Sequence, residues 1–218
     1  MRPIVAIFAH PDDEAFGPGG TIAKFAKTRD VYLICATRGE AGEYFGKKGK
    51  KGMAAIRTKE LLNAAKVLGI QKVFFLDFVD GTLSNNLYHD IARKIETILK
   101  KFRPDTIITY EPHGISGHID HIAMSMVSNY VFERLPFVKK LLQLCVLDTP
   151  NRRKRKYFIY LPPGYKKSDI DWVSDVRATW NTKVKAILEH KSQIGDATRI
   201  LKMFEKRPKV ENFLVRAK

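Results

Sequence analysis

The chain has 218 residues, of which 44% are hydrophobic, and this is enough for one sizeable core but short for two full domains. Lysine and arginine number 39 against 23 aspartate and glutamate residues, which gives a formal net charge of +16. Such an excess can attract an anionic partner, but it identifies neither a fold nor an activity. The two cysteines, Cys35 and Cys145, lack metal-type spacing, so we expect reduced core residues rather than a cysteine metal site.

Short β-rich runs alternate with amphipathic helical segments in the first half of the chain. The predicted strands are 4–9, 31–36, 73–76 and 106–110, and the predicted helices are 19–27, 54–68 and 87–102. This alternation indicates βα units around a mainly parallel sheet. We therefore predict an α/β fold, a Rossmann-like three-layer α/β/α arrangement with the active site at the C-terminal ends of the strands, in a single domain over residues 1–218.

The second half of the chain is less regular. It contains a predicted helix over 118–131, strands over 141–147 and 156–161, and a long amphipathic helix over 177–193. The order of these late strands stays open, and the residues after 193 remain unassigned.

The chain opens directly into the first predicted strand, with a single arginine before it and no small-residue cleavage site. No stretch approaches the roughly 20 apolar residues of a transmembrane helix. We therefore expect a cytoplasmic protein.

Polar residues follow each of the first four predicted strands, where ligands bind in open α/β sheets. In chain order these strand-end residues are His10 to Glu14, Arg38 to Glu40, Asp77 and Asp80, and then Glu111, His113, His118, Asp120 and His121.

Two of these loops carry metal-type donors. His10 and Asp13 are three residues apart, and His118 and His121 are three apart at a predicted helix start, so each pair can share a face. Imidazole and carboxylate ligands with one open position are typical of a catalytic zinc site. Each loop alone has a second interpretation, in which an aspartate caps a helix. Their position at neighbouring strand ends favours the metal site.

The residues Ala9 to Glu14, with the sequence AHPDDE, and His118 to His121, with the sequence HIDH, resemble the LmbE-like or PIG-L family of zinc-dependent N-deacetylases. Weaker similarity extends over residues 4–193. Ile119 stands where proline is common in the family, and Ile115 to Gly117 lacks a frequent aromatic residue.

The resemblance implies one Zn²⁺ per chain, or another divalent metal, with Asp12 as the base and His118 as a second catalytic group. Its implied metal ligands are His10, Asp13 and His121. Asp120 would either hold His118 in one tautomer or cap the helix. The group that returns a proton to the leaving amine stays open between Asp12 and His118.

We expect four further residues to contact substrate, namely Glu14, Glu40, Arg57 and Asp80. Arg57 and Glu60 share a helical face, so an exposed ion pair is the alternative for that position.

The resemblance implies removal of an N-acetyl group from a small-molecule or lipid-linked N-acetylglucosamine-containing substrate. A homo-oligomer is compatible with the sequence. A ferrous oxygenase using two histidines and one carboxylate is a second enzymatic interpretation of the same residues.

The basic excess supports a different class of function, a protein that binds nucleic acid or an anionic surface. No RNA- or DNA-binding motif accompanies the charge, so we expect no specific nucleic acid partner, although weak association with an anionic membrane is compatible with it. The basic clusters 47–51 and 152–156 are either solvated loops or a lid that steers an anionic substrate.

Overall fold

The computed structural model describes residues 1–42, 52–149, 160–205 and 207–218. Within them, seven strands form one sheet in the order β3-β2-β1-β4-β5-β7-β6. The strands are β1 (Ile4–Phe8), β2 (Val31–Cys35), β3 (Lys72–Phe75), β4 (Thr106–Tyr110), β5 (Lys140–Cys145), β6 (Trp172–Asp175) and β7 (Val210–Ala217).

Strands β1 to β5 are parallel, and β7 is antiparallel to both β5 and β6. The chain runs outward from β1 through β2 to β3 and then returns to place β4 on the other side of β1. The strand order therefore reverses between β1 and β4, which is where open α/β sheets form a ligand crevice at the carboxyl ends of the strands.

Helices cover both faces of the sheet. They are α1 (Asp13–Phe16), α2 (Gly19–Ala26), α3 (Met53–Leu68), α4 (Tyr88–Phe102), α5 (Gly114–Gly117), α6 (Ile119–Arg134), α7 (Trp180–Glu189) and α8 (Ile194–Glu205). Helices α2, α3 and α7 pack together as one layer, and α4 packs with α6 as the other.

The central strand β1 is apolar at every position, Ile-Val-Ala-Ile-Phe, and all five residues are fully buried. A parallel strand covered by helices on both faces needs such a continuous apolar run. By contrast α4 buries one stripe, Ile91, Ile95 and Leu99, and turns lysines to solvent. These patterns fix β1 in the middle of the sheet and α4 on its surface.

The predicted fold class is confirmed. The elements of the first half agree with their predicted bounds to within one residue at each end, because their periodic patterns are strong. Both cysteines are buried and free. No helix in the described parts of the chain is long and apolar enough to cross a bilayer.

The second half agrees with the predictions only in part. The helix predicted over 118–131 is α6 (Ile119–Arg134), and the strand predicted over 141–147 is β5 (Lys140–Cys145). The helix predicted over 177–193 is an α-helix only over Trp180–Glu189, with 3-10 turns at Arg177–Thr179 and Lys191–Gln193. Strands β6 and β7 and helix α8 were not predicted. Of the strand predicted over 156–161, residues 156–159 lie outside the described residues, and Tyr160 and Leu161 are not in a strand.

Candidate metal centre

The loops that follow β1 and β4 meet at the point where the strand order reverses. His10 lies two residues after β1, and His121 lies in the first turn of α6, which the chain reaches shortly after β4. Because β1 and β4 are adjacent and parallel, their carboxyl ends share one edge of the sheet. Residues 111 positions apart in sequence are therefore brought into contact.

Three donor groups at this edge, two imidazoles and one carboxylate, surround a common point. His10 Nδ1 lies 3.2 Å from His121 Nε2 and 3.6 Å from Asp13 Oδ2, and His121 Nε2 lies 3.4 Å from Asp13 Oδ1. Ligand atoms about 2.0–2.2 Å from one tetrahedral ion would lie about 3.3–3.6 Å from each other. The three side chains expected as ligands thus fit a single divalent ion as they stand.

The outer nitrogens of both imidazoles are held by acceptors. His10 Nε2 lies 2.9 Å from Asp80 Oδ1 and 3.1 Å from Asp120 Oδ2, while His121 Nδ1 donates to the carbonyl of Gly114 at 3.1 Å. Such partners fix the tautomer and the ring orientation of a metal-binding histidine. His10 Nδ1 and His121 Nε2 are consequently the nitrogens directed at the common point.

Gly114 allows the loop after β4 to approach His121. Its φ is +63°, and a Cβ at this position would lie 2.6 Å from the Cβ of His121. The buried carboxylate of Glu111 holds the same loop by accepting the backbone N–H groups of His113 and Ile115 and the hydroxyl of Tyr165. The loop conformation is therefore set by one glycine and one buried acid.

Tyr110, the last residue of β4, was not singled out in the sequence. Its ring stacks on His121 with centroids 4.2 Å apart, and its buried hydroxyl accepts the N–H of Ala9 and bonds to Asp13. An aromatic residue ending a buried strand is indistinguishable from core in one sequence. The signal available in the sequence was a tyrosine hydroxyl at the C-terminal end of a strand, where ligands bind.

Asp12 lies next to the donor triad in an unusual backbone conformation, with a φ of +118°. Its carboxylate accepts a 2.8 Å hydrogen bond from Arg57 Nη2. Burial raises the pKa of Asp12 to about 7, although the positive charge of Arg57 opposes this shift. Asp12 is thus an acid whose proton affinity matches neutral pH.

The electrostatics of the triad favour a positive charge between its members. Burial disfavours a charged His10, but its contacts with Asp120 and Asp80 outweigh burial and raise its pKa to about 10. Burial lowers the pKa of His121 to about 4. Although burial opposes it, the charges of the two histidines lower the pKa of Asp13. The Asp13 carboxylate thus faces two imidazoles of opposite tendency, since the pKa of His10 is raised and that of His121 is lowered.

His118 packs beside the triad rather than within it. Its ring stacks on His121, and its Nδ1 accepts the backbone N–H of Asp120, so His118 is the N-cap of α6. Burial lowers its pKa. His10, His118 and Asp120 form a second possible donor group, but His10 would have to use Nε2, which already faces two carboxylates. The triad with His121 is therefore the stronger metal site.

Asp120 differs from both of its predicted roles. Its carboxylate contacts His10 instead of His118, and it accepts the backbone N–H groups of Gly81 and Leu83. It does not cap α6, because the capping acceptor is His118 itself. In the first turn of α6 the side chain of Asp120 points toward the loop after β3, a long-range contact that sequence spacing does not reveal.

The four residues expected to contact substrate all have partners within the site, and for Glu40, Arg57 and Asp80 the substrate contact stays a prediction. Asp80 contacts His10, Glu40 accepts the backbone N–H of Asp80, and Arg57 bonds to Asp12. Glu14 is fully buried, and its carboxylate contacts His190 Nε2 and accepts the backbone N–H of Asp12. Glu14 therefore lies where a substrate cannot touch it, because neighbouring backbone and His190 enclose it.

The alternative of an exposed Arg57–Glu60 ion pair is wrong, since both side chains are buried and each has other partners. Arg57 donates to Pro11 O, Asp12 and Gly39 O. Glu60 accepts the N–H and the hydroxyl of Ser192. The basic clusters 47–51 and 152–156 lie outside the described residues.

Comparison with known proteins gives a consistent result. The family model PIG-L, described as GlcNAc-PI de-N-acetylase, matches residues 5–131. A probable N-acetyl-alpha-D-glucosaminyl L-malate deacetylase 2 of Bacillus cereus is 31% identical over 197 residues, which covers 88% of this chain and 84% of the relative.

Solved structures share the fold. The N,N'-diacetylchitobiose deacetylase of Pyrococcus horikoshii has a TM-score of 0.74 at 22% identity, covering 99% of this chain and 84% of that protein. The 4-carboxy-2-hydroxymuconate hydratase GalB of Pseudomonas putida has a TM-score of 0.69 at 17% identity, covering 100% of this chain and 97% of that protein. The same fold thus carries more than one reaction.

Proposed function

This chain belongs to the PIG-L family, and from that premise we propose that it is a zinc-dependent hydrolase that removes the N-acetyl group of an N-acetylglucosamine-containing molecule. The observation that carries the proposal is the triad of His10, Asp13 and His121. His10 Nδ1 and His121 Nε2 lie 3.2 Å apart, and each lies within 3.4–3.6 Å of a different oxygen of the Asp13 carboxylate. Deacetylation is the reaction named for the family model and for the Bacillus cereus relative.

Zinc suits these ligands because two imidazoles and one carboxylate are a common catalytic zinc set. When bound, such an ion lowers the pKa of water and polarises an amide carbonyl. The ligand atoms must be unprotonated to hold it, so His10 must give up the proton that its high pKa retains in the absence of metal.

Asp12 is the proposed base. A carboxylate with a pKa of about 7 can accept a proton from water at neutral pH and can return it to the amine nitrogen as the amide bond breaks. Arg57 holds one of its oxygens, which orients the carboxylate. The same residue can thus act first as base and then as acid.

His118 is the proposed second catalytic group. Its Nδ1 accepts the Asp120 N–H, so the proton of a neutral ring resides on Nε2, where it can be donated to the oxyanion. The downward pKa shift keeps the ring neutral at physiological pH. Asp120 remains in the proposed catalytic set as a positioning residue, because its carboxylate contacts the proposed ligand His10.

The proposed substrates are small sugar conjugates. The names of the relatives point to N-acetylglucosamine linked to malate or to a second sugar. We propose that residues 1–218 act as one unit, because β7 at the end of the chain pairs with β5 within the sheet that carries the site.

Amine release from N-acetylglucosaminyl malate and N,N'-diacetylchitobiose, before and after removal and restoration of zinc, tests this function. We expect activity to disappear with a chelator and to return with zinc. Asp12→Asn should keep the metal and lose roughly 100-fold or more of kcat, because the base is removed while the ligands stay. Activity that survives chelation, or iron in the aerobically purified protein, would contradict the proposal.

A further inference from the structure

Two acids of the N-terminal half fasten the 3-10 turn that follows α7. Glu14 Oε1 lies 2.7 Å from His190 Nε2, and Glu60 accepts the N–H and the hydroxyl of Ser192. His190 and Glu14 are fully buried. A segment near residue 190 is thereby attached directly to the loop that carries the proposed base.

The connection from His190 to Asp12 has two short steps. The imidazole of His190 holds one oxygen of Glu14, and the other oxygen of Glu14 accepts the backbone N–H of Asp12 at 3.0 Å. Arg57 holds the carboxylate of Asp12 from the opposite end of the residue. Asp12 is therefore fixed at its backbone N–H by Glu14, and at its side chain and the preceding carbonyl by Arg57.

The backbone of Asp12 needs such fixation. Its φ of +118° is unfavourable for a residue with a side chain, and conformations of this kind persist only where surrounding contacts enforce them. Residues held in this way concentrate at active sites. The bond from Glu14 acts on the N–H of the strained peptide itself, and Arg57 holds the carbonyl of the same peptide at Pro11.

A purely structural histidine explains this position less well. Among the residues that the structure describes, Nδ1 of His190 is buried without a hydrogen-bond partner, and leaving a polar atom in that state destabilises a fold. Phe16 packs edge-on against the ring, so an apolar side chain would have suitable surroundings there. An apolar residue could not make the contact that His190 Nε2 makes with Glu14, and this contact accounts for a histidine at the position.

We propose that His190 is a positioning residue for the deacetylation reaction, acting through Glu14 to hold Asp12 in its working conformation. The inference rests on the proposed function, and it assigns to Glu14 a supporting role in place of substrate contact.

Two isosteric variants test it in the zinc-loaded full chain. His190→Gln keeps an amide donor near the position of Nε2, whereas His190→Asn places its amide near Nδ1, away from Glu14. We expect His190→Asn to lower kcat on N-acetylglucosaminyl malate by roughly 10- to 100-fold with KM and zinc content nearly unchanged, because the base is misplaced while the ligands remain. His190→Gln should stay within about threefold of the wild type.

Lys183→Met is the matched control, because it breaks another buried ion pair, with Glu211, that has no bond to Asp12. It should lower stability and leave kcat of the folded protein within about twofold. Combining His190→Asn with Asp12→Asn gives a second check. If His190 acts through Asp12, replacing it should lower kcat little further once Asp12 is already replaced. A general structural defect should instead lower kcat by the product of the two single-variant losses.

Exchange of the Asp12 amide proton, followed by NMR, reports the same connection without substrate. His190→Asn should accelerate this exchange, and His190→Gln should preserve its protection. Unchanged kcat or unchanged exchange in His190→Asn, or multiplied losses in the double variant, would overturn the inference while the wild type remains an active deacetylase. A wild type that releases no amine from either substrate would instead overturn the proposed function and the role of His190 with it.

Discussion

Single side chains around His121 decide whether the triad can form. Gly114 lets a carbonyl reach His121 Nδ1, and Tyr110 stacks on the same ring. On the other side, Asp80 and Asp120 hold His10. The positions of the three proposed ligands therefore depend on residues outside the triad.

Gly114→Ala should reduce metal affinity by roughly 10- to 100-fold, since the new Cβ would collide with His121 and displace its ring. Gly52→Ala is a matched control, because Gly52 also has a positive φ, and no atom in the described part of the chain lies within 4 Å of a Cβ added there. Both variants should lose stability through backbone strain, and only Gly114→Ala should weaken binding in a competition titration against a chromophoric chelator. Equal zinc affinity in the two variants would show that Gly114 does not position His121.

Asp120→Asn should also weaken metal binding by roughly 10- to 100-fold, because an amide in place of the carboxylate removes negative charge from the outer nitrogen of His10. Asp77→Asn alters an exposed aspartate paired with Arg38 and should have little effect. The same chelator titration compares them. If Asp120→Asn leaves the zinc affinity unaltered, Asp120 does not tune His10 and only holds the loop after β3.

At the scale of elements, a buried ion pair ties the late part of the chain to the early part. Lys183 of α7 lies 2.6 Å from Glu211 of β7, and Glu211 also accepts the N–H groups of Gly20 and Thr21 in the first turn of α2. A carboxylate at this place satisfies helix N–H groups that lack partners and complements the helix dipole. The antiparallel strand is thus connected to the layer that carries the first loop of the site.

Lys183→Met should lower the free energy of unfolding by about 3–5 kcal/mol, because Glu211 would keep a buried charge without its counter-ion. Arg199→Ala, which breaks an exposed pair with Asp196 on α8, should change it by less than about 0.5 kcal/mol. Urea unfolding measures both values. A change below about 1 kcal/mol in Lys183→Met would mean that water or local rearrangement compensates Glu211.

The whole molecule carries a net charge of +16, which can act on the rate at which a charged substrate arrives. We expect kcat/KM for the anionic N-acetylglucosaminyl malate to fall as salt rises, while that for neutral N,N'-diacetylchitobiose stays nearly constant. Parallel responses of the two substrates to salt would exclude steering by the protein's charge.

Most of the fold and part of the site follow from local sequence. The continuous apolar run of β1, the amphipathic stripe of α4 and the donors placed after β1 and β4 are short-range patterns, and the rule that parallel strands end at one edge brings His10, Asp13 and His121 to a common place. The two motifs by themselves also indicate the PIG-L family. None of these inferences needs the identity of a distant contact.

The tertiary structure decides which side chains contact the proposed ligands and the proposed base. Asp120 contacts His10 rather than His118, Arg57 holds Asp12 rather than Glu60, and Glu14 is paired with His190. Strand β7 likewise pairs with β5 and β6, strands that its own sequence does not identify. These pairings join side chains far apart along the chain, and the free energy that selects among them comes from burial and geometry in the folded state, which periodicity and spacing do not encode.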